Sequence, residues 1–225
     1  MYSLTNNQWD DFVAKIRSND ESLGDSLNLS YRQLLGHDFA EFCRALETNS
    51  TLASINLNST LFGPAGSTMI AEMLKNNSAL TSIILSCNNI DDDSMKQITE
   101  ALKSNATLTS IDLCSNEIRR AGLDIVEMLK VNTTLTFVDL TDNPVDEESV
   151  QQIMLACERN SPLNWVKMSK QIIDICIALA PIDLPAYVLL EIIDWLPFFI
   201  CHERKTKLDL IVNVKKSISK FCFKK

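Results

Sequence analysis

The chain has 225 residues, of which 46% are hydrophobic and 22% are charged. These proportions are typical of a packed protein and exclude an intrinsically disordered one. The formal net charge of −8 argues against a nucleic-acid-binding protein, because contacts to phosphate groups need a basic surface.

The first predicted element is a helix over residues 5–18. Its apolar residues lie three or four positions apart and form one stripe: Trp9, Phe12, Val13 and Ile16. A helix with one apolar face has to cover another element. We therefore expect residues 1–22 to form a helical cap over the N-terminal end of the structure that follows.

A Leu-x-x-Ile-x-Leu pattern then recurs along the chain. It begins at Leu52, Leu80 and Leu108, which are 28 residues apart, at Leu135 after 27 residues, and in a degraded form at Leu163. Leu27 and Leu29 occupy the corresponding positions one unit earlier. Alternating apolar residues in short segments predict one strand in each unit.

A turn and a helix are predicted after each strand. An asparagine lies two positions before an apolar residue at Asn88, Asn116 and Asn143, whereas Arg32 and Thr60 replace it in the first two units. Apolar residues at helical spacing follow, up to an asparagine in each unit: Asn49, Asn77, Asn105, Asn132 and Asn160. One strand and one helix cannot bury their own apolar faces, so the units must stack. We predict an α/β solenoid over residues 23–169, with five units, a sixth strand, a curved parallel sheet inside and helices outside.

This unit, of the form LxxLxLxxNxI followed by a helix and LxxN, resembles the ribonuclease-inhibitor class of leucine-rich repeats. The resemblance covers residues 24–169. It implies a protein that binds other proteins on its concave face, which is the face of the sheet turned away from the helices. We expect no enzyme activity, no cofactor and no metal ion, because the residue types in the chain offer few candidates for catalysis or for metal ligands.

Strand alternation predicts which side chains line the concave face. The first column is Ser26, Ser54, Ser82, Ser110, Phe137 and Trp165; the second is Asn28, Asn56, Ile84, Asp112, Asp139 and Lys167; the third is Ser30, Asn58, Ser86, Cys114, Thr141 and Ser169. An exposed aromatic pair with carboxylates beside it is typical of a protein interface that favours a basic partner. The predicted binding residues are Asp112, Phe137, Asp139, Asp142, Trp165 and Lys167. Alternatively, C-terminal helices cover Phe137 and Trp165.

Residues 170–225 are predicted to form a module of three helices, over residues 170–180, 185–196 and 206–221. The segment Leu184–Pro197 resembles the opening of an F-box, which implies a ubiquitin-ligase adaptor as an alternative function. Its most apolar part, residues 186–201, is too short to span a membrane. The alternative is a plain helical cap.

Candidates for catalysis are few. His37 and His202 are the only histidines, and a surface or capping role fits His37 better than general-base catalysis. Arg32, which replaces a repeat asparagine, allows the alternative of a small-GTPase-activating protein, since some relatives with this repeat have that activity. Arg119 and Arg120 are expected at the start of a helix, where positive charges interact unfavourably with the helix macrodipole. They are either a tolerated surface substitution or a contact to a binding partner.

We conclude from the sequence that the chain is a non-enzymatic, monomeric scaffold for binding a partner protein. The seven cysteines include no CxxC pair and residues 1–7 have no signal-peptide character, so we expect a cytoplasmic protein with reduced thiols. Short repeats, asparagine-rich turns and an Ile/Lys-rich C-terminal segment resemble effectors that intracellular bacteria inject into host cells. That resemblance implies a host protein as partner, translocation into the host cytosol and a delivery signal at residues 220–225.

Overall fold

The computed structural model of the chain describes residues 6–34, 36–150, 152–153 and 165–167. Strands and helices alternate in this part of the chain. Its strands are β1 (Ser26–Asn28), β2 (Ser54–Asn56), β3 (Ser82–Ile84), β4 (Ser110–Asp112), β5 (Phe137–Asp139) and β6 (Trp165–Lys167). Its α-helices are α1 (Asn6–Arg17), α2 (Gly36–Glu47), α3 (Gly63–Asn76), α4 (Asp92–Ser104) and α5 (Gly122–Val131), with a 3₁₀ turn at Glu21–Leu23 and helical residues at 147–150 and 152–153.

The strands form one parallel sheet in the order β1-β2-β3-β4-β5-β6. Each strand pairs with the strand of the next unit because the intervening helix returns the chain to the same end of the sheet. Equivalent repeat positions lie side by side, as at Ile55, Ile83 and Ile111. This arrangement confirms the predicted α/β solenoid.

The interior between sheet and helices is filled by the recurring apolar residues. Each of the following has no measurable exposure: Leu52, Ile55, Leu57, Leu80, Ile83, Leu85, Leu108, Ile111 and Leu113. Burial of one such side chain contributes about 1.5–3 kcal/mol. The leucine columns therefore point inward, as the strand pattern predicted, and they provide the main stabilisation of the stack.

Helix α1 covers the first unit. Its residues Trp9, Val13 and Ile16 are buried, and the Trp9 ring lies 6.2 Å from the ring of Phe42 in α2. The helix predicted over residues 5–18 is thus present at this end of the stack.

Buried asparagines join the end of each helix to the preceding unit. Asn77 Nδ2 donates to the carbonyl of Leu46 (2.7 Å), and its Oδ1 accepts from the backbone N–H of Leu80 (2.8 Å). Asn49, Asn105 and Asn132 repeat this arrangement. Asn49, Asn105 and Asn132 each begin an Asn-x-Thr sequence, which is the acceptor motif for N-glycosylation. Their side-chain nitrogens are buried hydrogen-bond donors, so these motifs have a structural role.

A second ladder of asparagines lies after the strands. Asn88 is completely buried, and its Nδ2 donates to the carbonyl of Leu57 in the preceding unit (2.8 Å). Its Oδ1 accepts from the backbone N–H groups of Thr60 (3.0 Å) and Leu61 (2.8 Å). Asn116 and Asn143 continue the ladder. These side chains satisfy backbone groups that the turns leave unpaired.

The short unit differs from the others in its helix. Helix α5 has 10 residues, compared with 13 in α4, and it begins 14 residues after Leu108, whereas α4 begins 12 residues after Leu80. The shorter helix and the longer loop together make this repeat one residue shorter. Arg119 and Arg120 were expected to begin this helix, and that expectation was wrong: α5 begins at Gly122. The reason is that the backbone N–H groups of both arginines donate to Asp92 Oδ1 (2.7 and 2.8 Å), which holds them in the loop before the helix.

Several predictions lie outside the described residues. They are Asn160, the three-helix module at 170–225, the F-box-like segment and the proposed delivery signal.

Candidate protein-binding face

The strand register aligns the first two columns of the concave face as predicted. Ser26, Ser54, Ser82, Ser110, Phe137 and Trp165 are neighbours from β1 to β6. Asn28, Asn56, Ile84, Asp112, Asp139 and Lys167 are likewise neighbours two residues further along the strands. The face therefore begins with small polar residues and ends with larger and charged ones.

Most residues of the second column have a structural role in the turn after their strand. The Oδ1 atom accepts a hydrogen bond from the backbone N–H two residues later at Asn28, Asn56, Asp112 and Asp139, with distances of 2.9–3.0 Å. Such Asx turns mimic a backbone turn. Ile84 has no side-chain oxygen and presents a half-buried apolar surface on the concave face instead.

Accessibility falls along this column. Asn28 is exposed, Asn56, Ile84 and Asp112 are half-buried, and Asp139 is only 5% exposed. The expectation that Asp139 is an exposed contact is therefore wrong. Its Oδ1 is engaged by both the backbone N–H (2.9 Å) and the hydroxyl (2.6 Å) of Thr141, itself buried, which turns the carboxylate into the following loop.

The aromatic end of the first column keeps its predicted position. Phe137 is half-buried in β5, and Trp165 occupies the neighbouring register position in β6. Lys167 has the corresponding position beside Asp139. The backbone thus places Phe137 beside Trp165, and Asp139 beside Lys167, at one end of the sheet.

Asp142 lies at the loop edge of the concave face. It is exposed and its backbone has a φ of 56°, a left-handed conformation that aspartate tolerates better than most residues. The Cys114 thiol lies 3.8 Å from its Oδ2. Asp142 is therefore the most accessible of the predicted carboxylates.

Other charged residues have structural partners. Arg120 Nε lies 3.7 Å from Asp146 Oδ2, and hydrogen bonds from the hydroxyl and backbone N–H of Ser149 hold the pKa of Asp146 below its usual value. The exposed His37 lies 3.8 Å from the Asp38 carboxylate. These contacts support surface roles for Arg120 and His37.

The described residues contain little that suggests chemistry. No group of three or more His, Cys, Asp or Glu side chains within them could hold a metal ion, and none of the helices among them is long and apolar enough to cross a membrane. Burial strongly raises the pKa of the Cys43 thiol, which keeps it protonated and inert.

Comparisons with known proteins agree with the repeat architecture. A family model described as Leucine Rich repeat matches residues 76–98 and 131–154. A comparison with curated protein sequences finds no significant match. The structure is similar to that of the leiomodin-1 Actin-Binding Site 2, with a TM-score of 0.56 and 23% identity over 70% of this chain and 91% of that chain. It is also similar to the tropomodulin C-terminal domain of Caenorhabditis elegans, with a TM-score of 0.57 and 12% identity over 69% and 93% of the two chains.

At these identities the structural likeness establishes the fold and not the function. The fold is that of a leucine-rich-repeat solenoid, as the sequence predicted.

Sequence reasoning missed two features of the face. One is the Asx turn, for which the signal was an Asn or Asp two residues before a small residue in successive units. The other is the effect of Ile84: the sequence placed it in the second column, and in β3 it replaces the oxygen of that turn with an apolar side chain beside Asp112.

Proposed function

We propose that the chain is a protein-binding scaffold that uses its concave face and catalyses no reaction. The observation that carries this proposal is the register of the sheet, which aligns side chains from successive units on one face. Several of these side chains are half-buried and so remain partly accessible, including Ser82, Asp112 and Phe137. A repeated surface of this kind provides an extended interface.

The proposed contacts are the predicted residues with one change of role. Asp112, Phe137, Asp142, Trp165 and Lys167 remain candidates for direct contact. The buried Asp139 supports the turn after β5 instead. Carboxylates at Asp112 and Asp142 favour a partner with a basic surface.

A steric block on the concave face tests this proposal. Ser82→Trp places a bulky ring at a first-column position, and the same column holds Phe137 and Trp165, so a large side chain is compatible with the fold. Lys96→Trp on the exposed side of α4 is the matched control. Partner proteins are first identified by proximity labelling with the full chain and then purified. They should bind the Lys96→Trp variant and should lose binding to the Ser82→Trp variant. Equal binding to both variants would refute the concave face as the interface.

Actin is a defined reference protein for this assay. The name of the leiomodin-1 structure identifies an actin-binding site in that protein, and the similarity to this chain concerns the fold alone. Co-sedimentation with filaments and a binding assay with monomeric actin would test whether the scaffold shares this partner.

We also propose that the repeats are of the ribonuclease-inhibitor class and that the protein works as a cytoplasmic monomer. The full helices of 10–14 residues between strands support the class. The free Cys43, Cys87 and Cys114 are consistent with a reducing compartment.

The role of an effector delivered into a host cell is proposed on the sequence resemblance alone. A translocation reporter that keeps its signal after deletion of residues 206–225 would argue against the delivery signal. The F-box-like adaptor and the GTPase-activating protein stay alternatives.

A further inference from the structure

A carboxylate is held in a fixed position near the middle of the concave face. Asp112 is half-buried, and its Oδ1 accepts hydrogen bonds from the backbone N–H of Cys114 (2.9 Å) and the hydroxyl of Ser86 (2.8 Å). Both bonds engage the same oxygen. They fix the orientation of the carboxylate and leave Oδ2 to face another group.

Two apolar side chains lie near this carboxylate. Ile84 is the register neighbour of Asp112 in β3. Phe137 lies in β5 opposite Ser110, two residues along the strand from Asp139, which is the register neighbour of Asp112 there. Both are half-buried. Since neighbouring strands are about 4.8 Å apart, the two apolar residues lie on strands separated by roughly 10 Å, with Asp112 on the strand between them.

The surrounding charge is negative. Among the described side chains of β1–β5 that line the three columns, the charged ones are Asp112 and Asp139, and no lysine or arginine is present. Asp142 adds a third carboxylate at the edge. Lys167 has its register position beside Asp139, two strands from Asp112. The middle of the face is therefore complementary to a cation.

We propose that Ile84, Asp112 and Phe137 form a receptor for one lysine or arginine side chain of a partner protein. This inference rests on the proposed function of the concave face and adds the chemistry that the partner must present. The methylene stem of the basic residue packs between Ile84 and Phe137, and its charged head pairs with Asp112. Because Ser86 and Cys114 already orient the carboxylate, little conformational entropy is lost when the pair forms.

The chain itself offers a matched variant for the test. Asn28 and Asn56 make the same Asx turn at equivalent positions, so Asp112→Asn removes the charge and keeps the turn. Glu72→Gln removes an exposed carboxylate of helix α3, outside the columns of the concave face, and serves as the control. Circular dichroism should give the same unfolding transition for Asp112→Asn and the wild type.

A phage-displayed library of random peptides, selected on the full wild-type chain, supplies defined probes. Selected peptides should contain a lysine or arginine, and fluorescence anisotropy should show about tenfold weaker binding to Asp112→Asn. Glu72→Gln should change the affinity by less than about twofold. Replacing the basic residue of the peptide with norleucine or citrulline should weaken binding to the wild-type chain by the same factor. For these altered peptides, Asp112→Asn should weaken binding no further.

The outcomes separate this inference from the proposed function. If Ser82→Trp abolishes peptide binding and Asp112→Asn leaves it unchanged, the concave face is the interface and the receptor is refuted. If the peptides bind Ser82→Trp as well as wild type, they bind elsewhere and the proposed function fails with the receptor. Selection of peptides without a basic residue, or of no peptides, also contradicts the receptor.

Discussion

Loss of the Asn88 side chain should destabilise the solenoid far more than loss of an exposed asparagine. In Asn88→Ala, the N–H groups of Thr60 and Leu61 lose the oxygen that accepts from both, at 3.0 and 2.8 Å, and the carbonyl of Leu57 loses a donor at 2.8 Å. An orphaned buried polar group costs about 1–3 kcal/mol. Thr60 is fully buried, whereas Leu61 is 46% exposed. The Thr60 donor therefore predicts a loss of roughly 1–3 kcal/mol in the free energy of unfolding, to which the Leu61 donor adds a smaller amount.

Urea unfolding followed by circular dichroism measures this loss. Asn76→Ala is the control, because Asn76 is exposed on α3 and donates one hydrogen bond to Glu47 (3.3 Å); its change should stay within about 0.5 kcal/mol. Asn88 joins two units, so the variant should also unfold in two steps, which lowers the apparent slope of the free energy of unfolding against urea concentration. Equal stabilities of the Asn88→Ala and Asn76→Ala variants would refute the structural role of the ladder.

Two further changes test the contact between α5 and the residues that follow β5. In Gly122→Ala, the new Cβ would lie 2.4 Å from the Cα of Ser149, so thermal melting should show a loss of about 1–3 kcal/mol; an unchanged melting temperature would contradict this packing. Asp146 has a lowered pKa in the folded chain, so its stabilising effect is present above the pKa of an unfolded aspartate and is lost as the pH falls through the lower, folded value. Asp146→Asn should therefore make the decline of stability between about pH 5 and pH 2 shallower, and an unaltered pH profile would count against that role.

The fold could be predicted because every unit repeats the same constraint. A strand side chain points either into the core or out of it, so one unit with Leu52, Ile55 and Leu57 fixes the orientation of the others. A shift by one residue would bury Ser54 and expose Ile55, which the stack cannot tolerate. The same constraint made the columns of the concave face predictable residue by residue.

The accessibility of the site was less predictable. Asp112 and Asp139 occupy the same column, yet the first is half-buried and the second is almost completely buried. Both carboxylates accept a hydrogen bond from a hydroxyl, from Ser86 in one case and Thr141 in the other, and side-chain periodicity encodes neither such bonds nor the degree of burial. The expectation that Arg119 begins a helix was wrong for a similar reason. Its backbone N–H donates to the carboxylate of Asp92, which belongs to the preceding unit.

The Asx turn explains how this scaffold can change its partner without changing its fold. The turn after each strand needs one side-chain oxygen, and asparagine and aspartate supply it equally well at Asn56 and Asp112. The charge at each second-column position is therefore free to vary while the turn stays the same. Ile84 shows that even the oxygen is dispensable in one unit, because the backbone pairing of β3 with both neighbouring strands persists. Exchanges between Asn and Asp in this column should consequently alter which partner binds and leave the stability nearly unchanged.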